Sequence, residues 1–218
     1  MTRRWTLGLM FGLLCSGQSL TIRIYDLANV PGGRLERASD VAGELLAGAG
    51  VKAIWEKGSA DSLEGRLTVM IPSTIRSAPD DRGYVAVRVE KGMPAGLSGA
   101  DLGYALPFAR EGVHATVYYD RVEKLCLGST ANLLGAAIAH EIGHVLLGST
   151  EHSAAGIMKA RWGQAEFQLL ACHRLQFTPE DRDAIARKRS ERLESSSTPR
   201  QSMASETAIE SRRCSAVR

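Results

Sequence analysis

From Ala139 to Met158 the chain reads AHEIGHVLLGSTEHSAAGIM, and the pair His140 and His144, with Glu141 between them, constrains the fold more than any other feature. Positions four apart lie one turn apart on one face of a helix, so two imidazoles at this spacing reach a single point only if the segment is helical. The flanking residues independently predict that helix. Ser129 or Thr130 can cap a helix running through Ala131 to Leu147, with Leu134, Ala137 and Ile138 on its apolar face. Gly148 stands where a left-handed turn would end it.

The chemistry of this spacing is that of a metal site. Neutral imidazole suits zinc, and a catalytic zinc takes three protein ligands and keeps a fourth position open to water. Glu141, one residue after the first ligand, projects beside the metal rather than onto it. There it can take a proton from a water whose pKa zinc lowers towards ~7. His152 is the expected third ligand. The helix end lies ~5–6 Å along the axis past His144, and a four-residue extended segment reaches up to ~13 Å, so a return through Ser149–His152 is sterically easy. Glu151 would need the loop in another register, and Glu166 would have to arrive from a downstream helix. His114 and His173 are further candidates, although a lone histidine is more often a packed or surface residue.

HEIGHVLLGSTEHS followed by GIM resembles the metzincin clan of zinc endopeptidases, in its matrixin-like form. The clan carries HExxHxxGxxH and then a methionine turn beneath the metal. Here the pattern is HExxHxxxGxxxH, one residue longer on each side of the glycine. The resemblance implies that His140, His144 and His152 are zinc ligands, Glu141 the general base, Gly148 the turn glycine and Met158 the methionine of the turn. It further implies a zincin-like fold, peptide or protein substrates, and an edge strand above the cleft that pairs with extended substrate. His114–Val122, HATVYYDRV, is the segment expected in that role, with Tyr118 or Tyr119 either lining the cleft near an oxyanion or simply packing the sheet.

The rest of the chain fits an α/β (α+β) domain with a mixed, twisted sheet. Leu20–Leu27 alternates as a strand, and Pro31-Gly32-Gly33 breaks it. Arg34–Ala49 places Leu35, Ala38, Val41, Leu45 and Leu46 at helical spacing. VKAIWEKG and Arg66–Ser73 return as strands, so strand, helix and strand predict a right-handed crossover and partly parallel pairing. Residues 74–112 hold one more strand near Tyr84–Val89 and otherwise read as loop. After the active-site helix and a Met-turn-like loop, Thr178-Pro-Glu-Asp opens a C-terminal helix from Pro179 to about Leu193, with carboxylates at its positive end.

Length and charge narrow the function. The 218 residues suit a single domain, and a net charge of +3 without clustered Lys/Arg excludes a nucleic-acid binder. Arg3 and Arg4, the apolar block Trp5–Leu14, then CSGQS have the layout of a secretory signal peptide over residues 1–19. Lipid anchoring at Cys15 is disfavoured because Leu14 is large. No later apolar run approaches the ~18 residues of a membrane span. The expected organisation is therefore a signal peptide, a metalloprotease domain over residues 20–194, and a disordered tail over residues 195–218. Export permits a Cys126–Cys172 bridge, the other possibility being two thiols. The expected activity is that of a secreted or periplasmic zinc metallopeptidase. Its rivals are another zinc amide hydrolase and a secreted protein that sequesters zinc without turnover, which would have no need of Glu141.

Overall fold

In a computed structural model that describes residues 19–59, 84–92, 101–109 and 113–197, the alternating apolar segments assemble into one sheet. Its strands are β1 (Ser19–Asp26), β2 (Lys52–Lys57), β3 (Tyr84–Glu90), β4 (Gly103–Ala105) and β5 (Ala115–Tyr118). They lie in the order β2-β1-β3-β5-β4. β1 pairs in parallel with both β2 and β3, which sets Ile22 between Trp55 and Val85. β3 and β5 are also parallel, whereas β4 runs antiparallel to β5. The parallel β1–β2 pair requires a crossover, and helix α1 (Arg34–Gly48) supplies it. The signal peptide expected over residues 1–19 lies, apart from Ser19, outside the described residues, as do the strand expected at Arg66–Ser73 and residues 198–218.

β5, expected at the edge, is an inner strand between β3 and β4. Among the described residues the edge on this side of the sheet is β4, three residues long in a stretch that reads as loop. Gly-Tyr-Ala is too short to show alternation, and its strand character comes from pairing, Gly103 with Val117 and Ala105 with Ala115. After Tyr118 the chain turns at once into helix α2 (Tyr119–Leu125), so HATVYYDRV is part strand and part helix.

Helix α3 (Thr130–Leu147) carries the histidine pair and is buried along almost its whole length, including Leu134, Ile138, Ile142 and Leu146. A helix apolar on nearly every side belongs in the core, and this one packs against α1, β4 and β5. Gly135 permits the close approach to α1, since a Cβ there would stand 2.5 Å from the Ala38 carbonyl oxygen. Ser129 caps the start by accepting from the Asn132 N–H. Gly148, at φ 60°, ends the helix in a left-handed turn as expected.

Two further helices complete the described residues: α4 (Gln164–Ala171) and α5 (Pro179–Ser197). The start of α5 is reciprocally capped. The Asp181 N–H donates to Thr178 Oγ1, and the Thr178 N–H donates to Asp181 Oδ2. Along α5, Arg189 donates to the Gly50 carbonyl just past α1, and Arg192 donates to the Val145 carbonyl in the last turn of α3. Both guanidiniums thus sit where carbonyls lack helical partners and the helix dipole is negative. Cys126 and Cys172 are free thiols, not bridged. The Cys126 thiol donates to the Gly128 carbonyl within its own turn, while Cys172 is exposed at the end of α4. Among the described residues no helix is long and apolar enough to cross a membrane.

Candidate metal centre

The single buried helix delivers two imidazoles to the same cleft. The His140 and His144 rings meet edge to face with centroids 4.8 Å apart, and their Nε2 atoms are 3.1 Å apart. Past Gly148 the chain doubles back, and His152 closes the group. Its ring lies 5.3 Å from that of His140 and 4.8 Å from that of His144. One ligand atom from each of the three lies within 4.8 Å of the others.

The hydrogen-bond network sets which nitrogens face inward. His140 Nδ1 donates to the Ile157 carbonyl at 2.7 Å, and His144 Nδ1 donates to the Ser149 carbonyl at 2.9 Å. A carbonyl can only accept, so each Nδ1 carries the proton and each Nε2 presents a lone pair. Burial, aided by the neighbouring histidines, lowers the His140 pKa to about 4, against the opposing pull of the Ile157 carbonyl. Burial likewise lowers that of His144. Both rings are thus neutral near pH 7. Two such lone pairs at 3.1 Å repel unless a cation lies between them. A tetrahedral zinc with Zn–N of ~2.0–2.1 Å would place its nitrogen ligands ~3.3 Å apart, so this donor set fits the ion closely.

Met158, fully buried, lies against the same helix: a Cβ on Gly143 would be 2.4 Å from its Sδ. The loop from Gly148 to Trp162 is held at several points. The Ser153 N–H donates to the Met158 carbonyl, the Ile157 N–H to the Gln176 carbonyl, and Trp162 Nε1 to the Ile157 carbonyl. That last carbonyl is also the His140 acceptor, and the Trp162 ring stands edge-on to His140 at 5.8 Å. Trp162 thereby braces the first imidazole, a contact that no local spacing in the sequence foreshadows.

Glu141 lies against the edge strand, nearly inaccessible to solvent at 5% exposure. Gly103 of β4 is its lid: a Cβ there would come within 3.0 Å of Glu141 Oε1 and 2.4 Å of the Thr116 carbonyl oxygen. Burial, with a lesser contribution from the negative charge of Asp101, raises the Glu141 pKa to about 8. A cation held by the three histidines would pull it down again.

The other candidates are placed elsewhere. Glu166 accepts from the Gly163 N–H and pairs with Lys159 Nζ at 2.6 Å, so it holds the start of α4 and is not in the histidine group. Exposed Glu151 is also outside it. His114 is buried in the sheet, its Nδ1 accepting from the Ala86 N–H, and His173 lies at the surface near Glu44. Tyr118 and Tyr119 are buried rather than in the cleft, and Tyr119 is engaged by Arg34. Tyr104 of β4 is the tyrosine that lines the cleft. The cleft is a cavity of about 540 Å³ lined by β4, by Lys159–Trp162 and by His140, Glu141 and His144.

No family model matches the sequence, and no curated protein matches it. Among solved structures, the chain is similar to archaemetzincin from Methanopyrus kandleri at 15% identity and a TM-score of 0.49, over 82% of this chain and 99% of that one. It is also similar to archaemetzincin from Archaeoglobus fulgidus, complexed with malonate, at 16% identity and a TM-score of 0.47, over 76% of this chain and 99% of that one.

Proposed function

We propose that this protein is an exported zinc metallopeptidase, with His140, His144 and His152 as the metal ligands and Glu141 as the general base. The observation that carries the reading is the convergence of three imidazoles, two with inward lone pairs fixed by backbone carbonyls, beside a buried carboxylate in the lining of a cleft. Zinc bound there supplies a Lewis acid that acidifies water and polarises a peptide carbonyl.

The chain's own residues do the rest. Ile157 and Ser149 hold the first two rings in one tautomer and orientation, which raises their basicity as ligands. As the water oxygen bonds to the peptide carbonyl carbon, Glu141 takes its proton on the carboxylate and passes it to the leaving nitrogen as the C–N bond breaks. Its burial beneath Gly103 excludes competing solvent and fixes the carboxylate against β4. β4, as the described edge, can pair with an extended peptide backbone. A zinc-sequestering protein would bind the ion with the histidines alone, and the buried Glu141 favours an enzyme.

The direct test is a broad peptide-library digest by the purified protein before and after chelation, with metal content measured alongside. One zinc per chain and cleavage that disappears on chelation and returns with zinc is the expected result. Stoichiometric zinc with no cleavage of any library member would leave a metal-binding protein.

A further inference from the structure

The Lys159–Trp162 segment of the cleft lining carries two cations, and among the described residues only one of them is engaged. Lys159 Nζ is neutralised by Glu166 at 2.6 Å. Arg161, exposed and also lining the cleft, makes no hydrogen bond or ion pair with any described residue. With Lys159 and Glu166 cancelling, this segment keeps one net positive charge, and it belongs to a guanidinium, the group suited to bidentate recognition of a carboxylate. Asp101, near Gly103 in the chain, brings a negative charge to the same cleft, and Glu141 feels it.

The same cavity has a largely apolar lining. Leu125, Ala137, Phe167 and Trp162 line it together with Arg161. Ala137 lies one turn before His140 and Glu141 on α3, and the Trp162 ring stands 5.8 Å from that of His140, so these two apolar side chains border the reacting position. At about 540 Å³ the cavity has room for a few residues of an extended chain.

We propose that Arg161 is a substrate-anchoring residue that binds a carboxylate, making the preferred substrates peptides in which a carboxylate adjoins a large apolar side chain. This rests on the peptidase reading of the metal centre. The carboxylate has two sources, the peptide's own C-terminus or an Asp/Glu side chain, and Arg161 reads the group common to both.

The test uses the zinc-loaded Glu141→Gln protein, which holds peptide without turning it over, and two pairs of short peptides ending in an apolar residue. One pair differs as free acid against carboxamide, the other as an internal Glu against Gln. Calorimetric titration should show about tenfold or tighter binding of the acid member in one pair, the worth of one charge-assisted hydrogen bond. Adding Arg161→Gln should bring that ratio close to one. The pair that discriminates identifies the source. Equal affinities within both pairs, or a preference that survives Arg161→Gln, would overturn the proposal. Discrimination by the Glu141→Gln protein that is lost on adding Arg161→Gln, with no cleavage by wild type, would leave the subsite standing and sink the peptidase reading instead.

Discussion

Ser153, the residue after His152, donates its hydroxyl proton to Asp181 Oδ1 in the first turn of α5, 28 positions further along the chain. Asp181 is buried, at 6% exposure, and its other oxygen accepts from the Thr178 N–H. One carboxylate therefore caps a helix and tethers the loop that presents the third imidazole. Asp181→Ala removes both contacts, at a cost of about 1–2 kcal/mol in stability. Asp181 holds the neighbour of a ligand rather than the ligand, so zinc affinity should fall by about two- to tenfold, less than for the loss of a ligand's own partner, while Asp181→Asn, which keeps an acceptor oxygen, should retain most of it. Competition titration against a zinc chelator reads this directly. Wild-type affinity in the alanine variant would show that the tether does not position His152.

His152→Ala should weaken zinc by more than that range, because it removes a ligand rather than its support. Glu166→Ala should keep a full equivalent of zinc and lose only about 1 kcal/mol of stability with the α4 cap and the Lys159 pair. Metal analysis of both variants after dialysis separates the two roles. Zinc lost from the Glu166 variant and kept by the His152 variant would exchange the assignments.

Glu141→Gln preserves size and hydrogen-bonding shape but cannot accept a proton. It should hold zinc as wild type does and lose peptidase activity by about a hundredfold or more. Turnover undiminished in a variant of proven zinc content would remove Glu141 from the mechanism.

Gly103→Ala tests the strand above Glu141. The added Cβ meets a backbone carbonyl at 2.4 Å and Glu141 Oε1 at 3.0 Å, so β4 or the carboxylate must move. Misplacement of a catalytic group by an ångström can cost about a hundredfold, so kcat should drop at least tenfold while zinc content is unchanged. Normal kcat together with weakened zinc would place the role of Gly103 in the fold of the metal site.

What was legible in the sequence was local. The α3 register, its Ser129 cap, its Gly148 exit and the shared face of His140 and His144 follow from a 3.6-residue period and from backbone preferences that act within a few residues. The return of His152 follows from loop length, and the strand–helix–strand start follows from alternation and from the crossover that parallel pairing demands.

The remainder depended on contacts between distant segments. β4 is a strand because β5 lies beside it, and β5 is internal for the same reason. Arg192 reaches the end of α3 from 47 residues away, and Asp181 reaches the His152 loop from 28. Glu166, a ligand candidate by sequence, turns its oxygens to Gly163 and Lys159 instead. Spacing along the chain fixes which side chains share a face of one element. Which elements then meet, and which buried carboxylate or guanidinium finds a partner there, is set by packing and desolvation across the whole domain, and no short-range pattern encodes it.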